Sequence, residues 1–304
     1  MTAAATPFFL DAGVRGQRLC VHYPPGVPGA APPRGQVLLL PPFAEEMNKS
    51  RRMIALAARA FAAAGFEVLT MDLLGCGDSS GDFGDASWRH WQDDVRLAAA
   101  WLDARLPATV ATDDTGARSG ERPPLWLWGV RAGALLAPAV LEAAGDRPLH
   151  LLLWQPVTTG KLQLQQFMRL RVAADLIGGQ AKGAVQAMRD QLARGESVEI
   201  AGYLLAPALA EGLEAAQLKP TPRVSRVAWL ELSPREDATL SPAAAMAAEA
   251  WTAQGAEVRA AVCQGPSFWA AIEIEEAPRL IEASLAALSA EADFAARPTE
   301  AESA

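Results

Sequence analysis

The chain has 304 residues, 51% of them hydrophobic and 20% charged, enough apolar material to bury a sizeable core and too much for a disordered chain. Lysine plus arginine number 27 against 35 aspartate plus glutamate, a net charge of −8, and such a surface repels a phosphate backbone and excludes general nucleic-acid binding. Three scattered cysteines, Cys20, Cys76 and Cys263, make neither a zinc cluster nor a disulfide scaffold and suit a reducing compartment.

The first ten residues hold no basic residue and no apolar stretch of signal-peptide length. No apolar run approaches the ~20 residues of a bilayer span, so the expectation is a cytoplasmic chain with no membrane span. Strand and helix signals then alternate. Residues 8–23, broken by Gly13 and Gly16, suit an antiparallel hairpin, followed by a Pro/Gly linker at 24–35. An apolar run at 36–40 stops at Pro41-Pro42, and 51–64 carries apolar residues at helical spacing closed by Gly65. Residues 66–74 are strand-like and end in the Gly-rich turn 75–81; 87–106 is a helix with Ser87 as its N-cap. Strands follow at 125–128, 149–154, 227–232 and 257–263, with helices at 133–144 and 278–289. Short, continuously apolar strands between helices predict an α/β fold, a mainly parallel doubly wound sheet with ligands at the strands' carboxyl ends.

Three stretches leave this rhythm. Residues 107–124 are expected to form a long polar surface loop, and 291–304 a disordered tail. Residues 157–222 hold three helical stretches (162–177, 181–194 and 207–217) and are expected to be a helical cap inserted into a core made of 1–156 and 223–290.

After the third strand the chain reads Trp128-Gly129-Val130-Arg131-Ala132-Gly133. Strand, Gly-x-x-x-Gly, helix is the geometry of a nucleophile elbow, whose glycines permit a tight turn and close packing of helix on strand. The middle position should be Ser, Cys or Asp; here it is Arg131, whose guanidinium stays protonated and cannot attack a carbonyl. The chain's three histidines, His22, His90 and His150, lie in the edge hairpin, a helix and a strand, and none follows the last strand.

The order of elements resembles an α/β-hydrolase with a cap between its later strands. The segments Pro42-Phe43-Ala44-Glu45-Glu46-Met47-Asn48-Lys49-Ser50-Arg51-Arg52-Met53 and Asp72-Leu73-Leu74-Gly75-Cys76-Gly77-Asp78-Ser79-Ser80-Gly81-Asp82-Phe83 are more specific. With Gly265-Pro266-Ser267-Phe268-Trp269 and Glu273-Ile274-Glu275, they resemble the exosortase A system-associated hydrolase 2 family over about residues 8–290. The resemblance implies a bacterial protein that accompanies exosortase, PEP-CTERM sorting and exopolysaccharide loci, and "hydrolase" there names the fold. It further implies an oxyanion-type loop at Phe43 and Ala44 with the N–H of Ala132, and an acid position at Asp237 or Glu236. No cofactor is implied.

Other residues carry weaker signals. Cys76, Ser79 and Ser80 sit in a Gly-rich turn, where such side chains usually bond the local backbone. Glu45, Glu46, Asn48, Lys49, Arg51 and Arg52 form a charged cluster that either solvates a helix start or, with Glu273, frames a pocket mouth beside Arg131. Of nine tryptophans, Trp88, Trp91, Trp154 and Trp269 fall near predicted strand ends or on the helix after the Gly-rich turn. No metal-ligand spacing occurs. Two functional classes remain open: an enzyme working by a route other than Ser-His-Asp, and a catalytically silent binding or partner protein. At Arg131 two further readings stand side by side, a bidentate site for an anionic, saccharide-related ligand and an internal ion pair with Asp237 or Glu273.

Overall fold

The computed structural model describes residues 4–26, 33–106, 122–177 and 183–289. Part of the 24–35 linker, nearly all of the 107–124 loop and the 291–304 tail lie outside the described residues.

The edge of the sheet is an antiparallel pair, β1 (Thr6–Asp11) and β2 (Gln17–Tyr23), and β2 pairs antiparallel with β4 (Glu67–Met71). From there the sheet is parallel: β4 beside β3 (Gln36–Leu40), then β5 (Leu125–Val130), β6 (Leu149–Trp154), β9 (Val224–Ser233) and β10 (Glu257–Gln264). Every residue of β3, β4, β5 and β6 is buried because helices cover both faces, so these strands are mostly apolar; their polar exceptions, Gln36, Glu67, Thr70 and His150, are buried as well.

One face packs against α1 (Glu45–Ala63) through Met53, Ala57 and Phe61, and against α8 (Pro278–Ser289) through Leu280 and Leu288. The other is covered by α2 (Trp88–Asp103), α3 (Ala137–Ala143) and α7 (Pro242–Ala253). Ser87 caps α2 by accepting a hydrogen bond from the His90 N–H at 3.1 Å.

Four elements differ from the pattern read off the sequence, the first being α7, a helix between β9 and β10 that the pattern did not mark. α1 begins at Glu45, six residues before the predicted start, because two acidic residues in a first turn meet the positive end of the helix dipole. The predicted helix over 133–144 is a 3-10 segment, Arg131–Leu136, that becomes α-helical only at Ala137. Between β6 and β9 the chain carries α4 (Gly160–Ile177), α5 (Ala184–Ala193) and α6 (Pro207–Ala215), but also an antiparallel hairpin of β7 (Val198–Ile200) and β8 (Tyr203–Leu205). The reading of this stretch as purely helical missed that hairpin, whose three-residue strands are too short to show a period of two.

This inserted segment seats closely on the rest. A Cβ on Gly212 of α6 would run into Trp88 of α2, and within the segment itself one on Gly160 of α4 would run into the Leu213 carbonyl of α6. Phe43 holds the junction, meeting Phe83, Trp91 and Phe167 of α4 edge-on at 5.7, 5.6 and 5.0 Å. No described helix is long and apolar enough to cross a membrane.

Candidate functional site

The site forms at the carboxyl ends of β3, β5 and β6, where three non-glycine residues hold positive φ: Ala44 at 52°, Arg131 at 53° and Gln155 at 42°. Such angles cost of order 1–3 kcal/mol each for a residue with a Cβ, and only one other described non-glycine residue, Ala201, shares them. Both glycines of the Gly-x-x-x-Gly motif are sterically required. A Cβ on Gly133 would press into the carbonyl of Leu40 on β3, and one on Gly129 would lie 2.7 Å from Ala134 Cα. β5 therefore turns sharply at Arg131, with Ala132 buried behind it.

Arg131 is bound on every side. It donates from Nε and Nη2 to Glu46 Oε1 at 3.3 and 3.2 Å, from Nη1 to the Gln155 carbonyl at 3.2 Å, and from Nη2 to Gln166 Oε1 on α4 at 3.4 Å. Its guanidinium carbon stands 5.1 Å from the centroid of the buried Trp269 ring, a cation–π contact. Both Arg131 and Glu46 side chains are 13% exposed.

Glu46 belongs to the first turn of α1. Burial pushes its carboxyl above the usual carboxylate range, against the lowering influence of Arg131. Glu45 is raised as well, chiefly by burial. Glu45 Oε2, Glu46 Oε2 and Gln163 Oε1 are buried without a hydrogen-bond partner. Gln163 of α4 is only 3% exposed, and its side chain contacts the Glu46 carboxyl.

The remaining predicted residues scatter. Neither expected internal partner reaches Arg131: Asp237 has an 84% exposed side chain and pairs with Arg235 at 3.3 Å, and Glu273, like Glu236, is exposed. The partner is Glu46, because the early start of α1 sets its first turn against the β5 turn. Asn48 donates to the Tyr203 hydroxyl at 3.0 Å and Lys49 to the Ala270 carbonyl at 3.4 Å. Arg51 makes a two-pronged pair with Asp72 at 3.2 and 3.1 Å, and Arg52 pairs with Glu276.

None of the alternative nucleophiles or bases is placed for chemistry at Arg131. Burial drives the Cys76 thiol up to about 12, with Asp72 adding to the effect, so no thiolate forms near neutrality. Ser79 Oγ donates to the Asp72 carbonyl at 2.6 Å and accepts from the Leu19 N–H at 2.9 Å; Ser80 Oγ accepts from the Gln17 N–H at 2.9 Å. His22 Nε2 lies 2.9 Å from Glu67 Oε1, and His90 sits on α2. His150 is buried edge-on to Trp126, where burial pushes its pKa down to about 4. Trp88, Trp91 and Trp154 are core, Trp154 donating to Ser284 Oγ at 2.8 Å; Trp269 alone of these four touches Arg131. Among the described residues no group of three His, Cys, Asp or Glu side chains could hold a metal ion.

Sequence reasoning missed Gln155, Gln163 and Gln166. Gln155 follows β6 at the edge where ligands bind in such sheets. Gln163 and Gln166 stand three apart on α4, a spacing that shares a helix face, but only the docking of α4 turns that face inward.

No protein-family model and no curated protein matches the chain. Solved structures match across nearly its whole length. Est1E of Butyrivibrio proteoclasticus, solved with ferulic acid, is 13% identical over 89% of this chain and 93% of its own, with a TM-score of 0.54. An esterase of Pyrobaculum calidifontis is 12% identical over 95% and 85%, TM-score 0.51. A thermostable carboxyl esterase of Bacillus coagulans is 14% identical over 87% and 91%, TM-score 0.50. At such identities the likeness establishes the architecture, and this chain has the α/β-hydrolase fold.

Proposed function

We propose that this α/β-hydrolase-fold chain does not carry out Ser-His-Asp hydrolysis and instead binds a small ligand at the elbow, beneath the inserted segment acting as a cap. The observation that carries this reading is Arg131 at the strained elbow position, with its guanidinium enclosed by Glu46, the Gln155 carbonyl, Gln166 and Trp269. A triad needs an activated hydroxyl and an imidazole to take its proton. The elbow supplies neither, while three strained backbone positions around it persist, as is usual where a site is functional.

The finer assignment is to the exosortase A system-associated hydrolase 2 family, and hence to exosortase, PEP-CTERM and exopolysaccharide systems. It is supported by where the resembling segments lie: 42–53 contributes Glu46, and 265–269 contributes Trp269, the two side chains that grip Arg131. A cytoplasmic location is supported by three free, buried cysteines. An anionic ligand would have to displace Glu46 from Arg131, so the ion pair makes a carboxylate or phosphate the weaker candidate.

The test is hydrolysis of p-nitrophenyl acetate and butyrate, together with labelling by a fluorophosphonate probe. Turnover at the buffer blank and no covalent adduct are expected, and Arg131→Ser alone restores neither because no base is added. Stoichiometric serine labelling of the unaltered protein would overturn the reading.

A further inference from the structure

We infer that the buried acceptor oxygens beside the Arg131–Glu46 pair form the binding site, and that its ligand is a neutral molecule carrying adjacent hydroxyl groups. This deepens the non-hydrolytic reading above and rests on it.

The unpartnered atoms set the chemistry. Arg131 engages Glu46 Oε1, and Glu46 Oε2 is buried outside any well-formed hydrogen bond, although the Gln163 amide approaches the carboxyl. Gln163, almost wholly enclosed on α4, contacts Glu46 while its own Oε1 is buried and unpartnered. Glu45 Oε2, in the same helical turn, is in the same condition. All three are acceptors. Rotating the Gln163 amide would exchange one deficit for another, since it turns Oε1 onto the Glu46 carboxyl, acceptor against acceptor. Burying acceptors without donors is unfavourable, and native structures meet such groups with a protein donor, an ordered water or a ligand hydroxyl.

Charge narrows the partner. An anion brings more acceptor oxygens to a place already holding two carboxyls and a carboxamide oxygen. A cation would be set beside the Arg131 guanidinium, which already answers Glu46. A neutral hydroxyl donates one hydrogen bond without adding charge, and two adjacent hydroxyls can serve Glu46 Oε2 and Gln163 Oε1 together. Phe43 and Phe167, in contact at 5.0 Å, flank the residues on either side (Ala44 before α1, Gln166 on α4) and keep that boundary apolar. The ligand would approach past the part of Arg131 and Glu46 that stays exposed, the acceptor oxygens lying behind it.

The experiment is saturation-transfer NMR on the full chain with myo-inositol as the neutral polyol, sodium acetate as the anion and ethylammonium as the cation. Transfer to myo-inositol is expected in the unaltered protein and in Arg194→Ala, a control at an exposed surface pair. A loss of about five-fold or more is expected in Gln163→Leu. Near-UV circular dichroism checks that this variant keeps its packing, and Gln163→Met, which preserves side-chain length, replaces it if not. Independently of any variant, absent transfer to myo-inositol, or equal transfer to all three probes, overturns the inference. So does an undiminished signal in a folded Gln163 variant. Failure here with a negative fluorophosphonate result leaves the non-hydrolytic reading standing, whereas a serine adduct removes that reading whatever the NMR shows.

Discussion

Replacing Arg131 by alanine should uncover the buried carboxyl of Glu46. Both side chains are 13% exposed, so the pair is largely desolvated, and removing one partner of a buried pair costs about 3–5 kcal/mol. The backbone term nearly cancels, because alanine at φ 53° is as strained as arginine. Glu46 can also escape by taking a proton, which puts the expected loss near the lower end, about 3 kcal/mol. That escape makes the loss depend on pH. Burial already holds the Glu46 carboxyl above 4.5 against Arg131; without Arg131 its folded-state pKa climbs further. The folded variant then binds more protons than the unfolded chain above 4.5, so its stability falls as pH rises from there towards the new pKa. Urea denaturation of the unaltered protein, Arg131→Ala, Glu46→Gln and the double variant, each at acidic and mildly alkaline pH, measures this. Arg131→Ala should be less stable at the alkaline pH, and adding Glu46→Gln should restore about 2 kcal/mol by removing the stranded charge. Strictly additive single effects, or a deficit equal at both pH values, would refute the reasoning.

Further outcomes follow from the packing and the buried titratable groups. Gly133→Ala drives a Cβ into the Leu40 and Pro41 carbonyls, backbone of a central strand that cannot yield, so thermal unfolding should show a loss of about 3 kcal/mol. Gly145→Ala meets nothing within 4 Å but keeps a positive φ of 56°, and should cost only about 1 kcal/mol. Acid should destabilise the fold in two windows. Although burial alone would raise it, Glu67 is held down to about 2 by hydrogen bonds from His22, Arg105 and Gln36, so its contribution is present above 4.5 and lost as pH falls towards 2. Burial holds His150 down at about 4 from 6.5, so its protonation in the unfolded chain removes stability between those values. Each amounts to about 3 kcal/mol, and His150→Phe should flatten the upper window in a pH series of urea midpoints. Cys20 and Cys76, both pushed up to about 12 chiefly by burial, should resist DTNB in the native protein and react on unfolding; fast labelling of the folded chain would contradict their burial.

The sequence alone determined the sheet and its sharpest turn. β3 and β6 begin and end where the sequence pattern predicts, because a strand buried on both faces is apolar at most positions, with Gln36 at the start of β3 and His150 within β6 as buried exceptions. The elbow was legible from Gly129, Arg131 and Gly133, since a tight strand-to-helix turn tolerates no Cβ at its two close approaches. The unsuitability of Arg131 as a nucleophile, and the lack of a histidine after β10, are facts of covalent chemistry that need no coordinates.

Tertiary structure decided everything that depends on which distant side chains meet. Asp237 and Glu273 stood as partners for Arg131 on chain order, yet both point to solvent, while Glu46, 85 residues away in sequence, takes the guanidinium. That choice is set by where α1 starts and how its first turn abuts the β5 turn, a matter of rigid-body docking that local periodicity does not encode. Gln163 and Gln166 look like ordinary polar positions on an amphipathic helix until α4 lies over the elbow. Cys76 and His150 likewise carry their usual reactivity as residues in a list; burial, which belongs only to the folded chain, withdraws it.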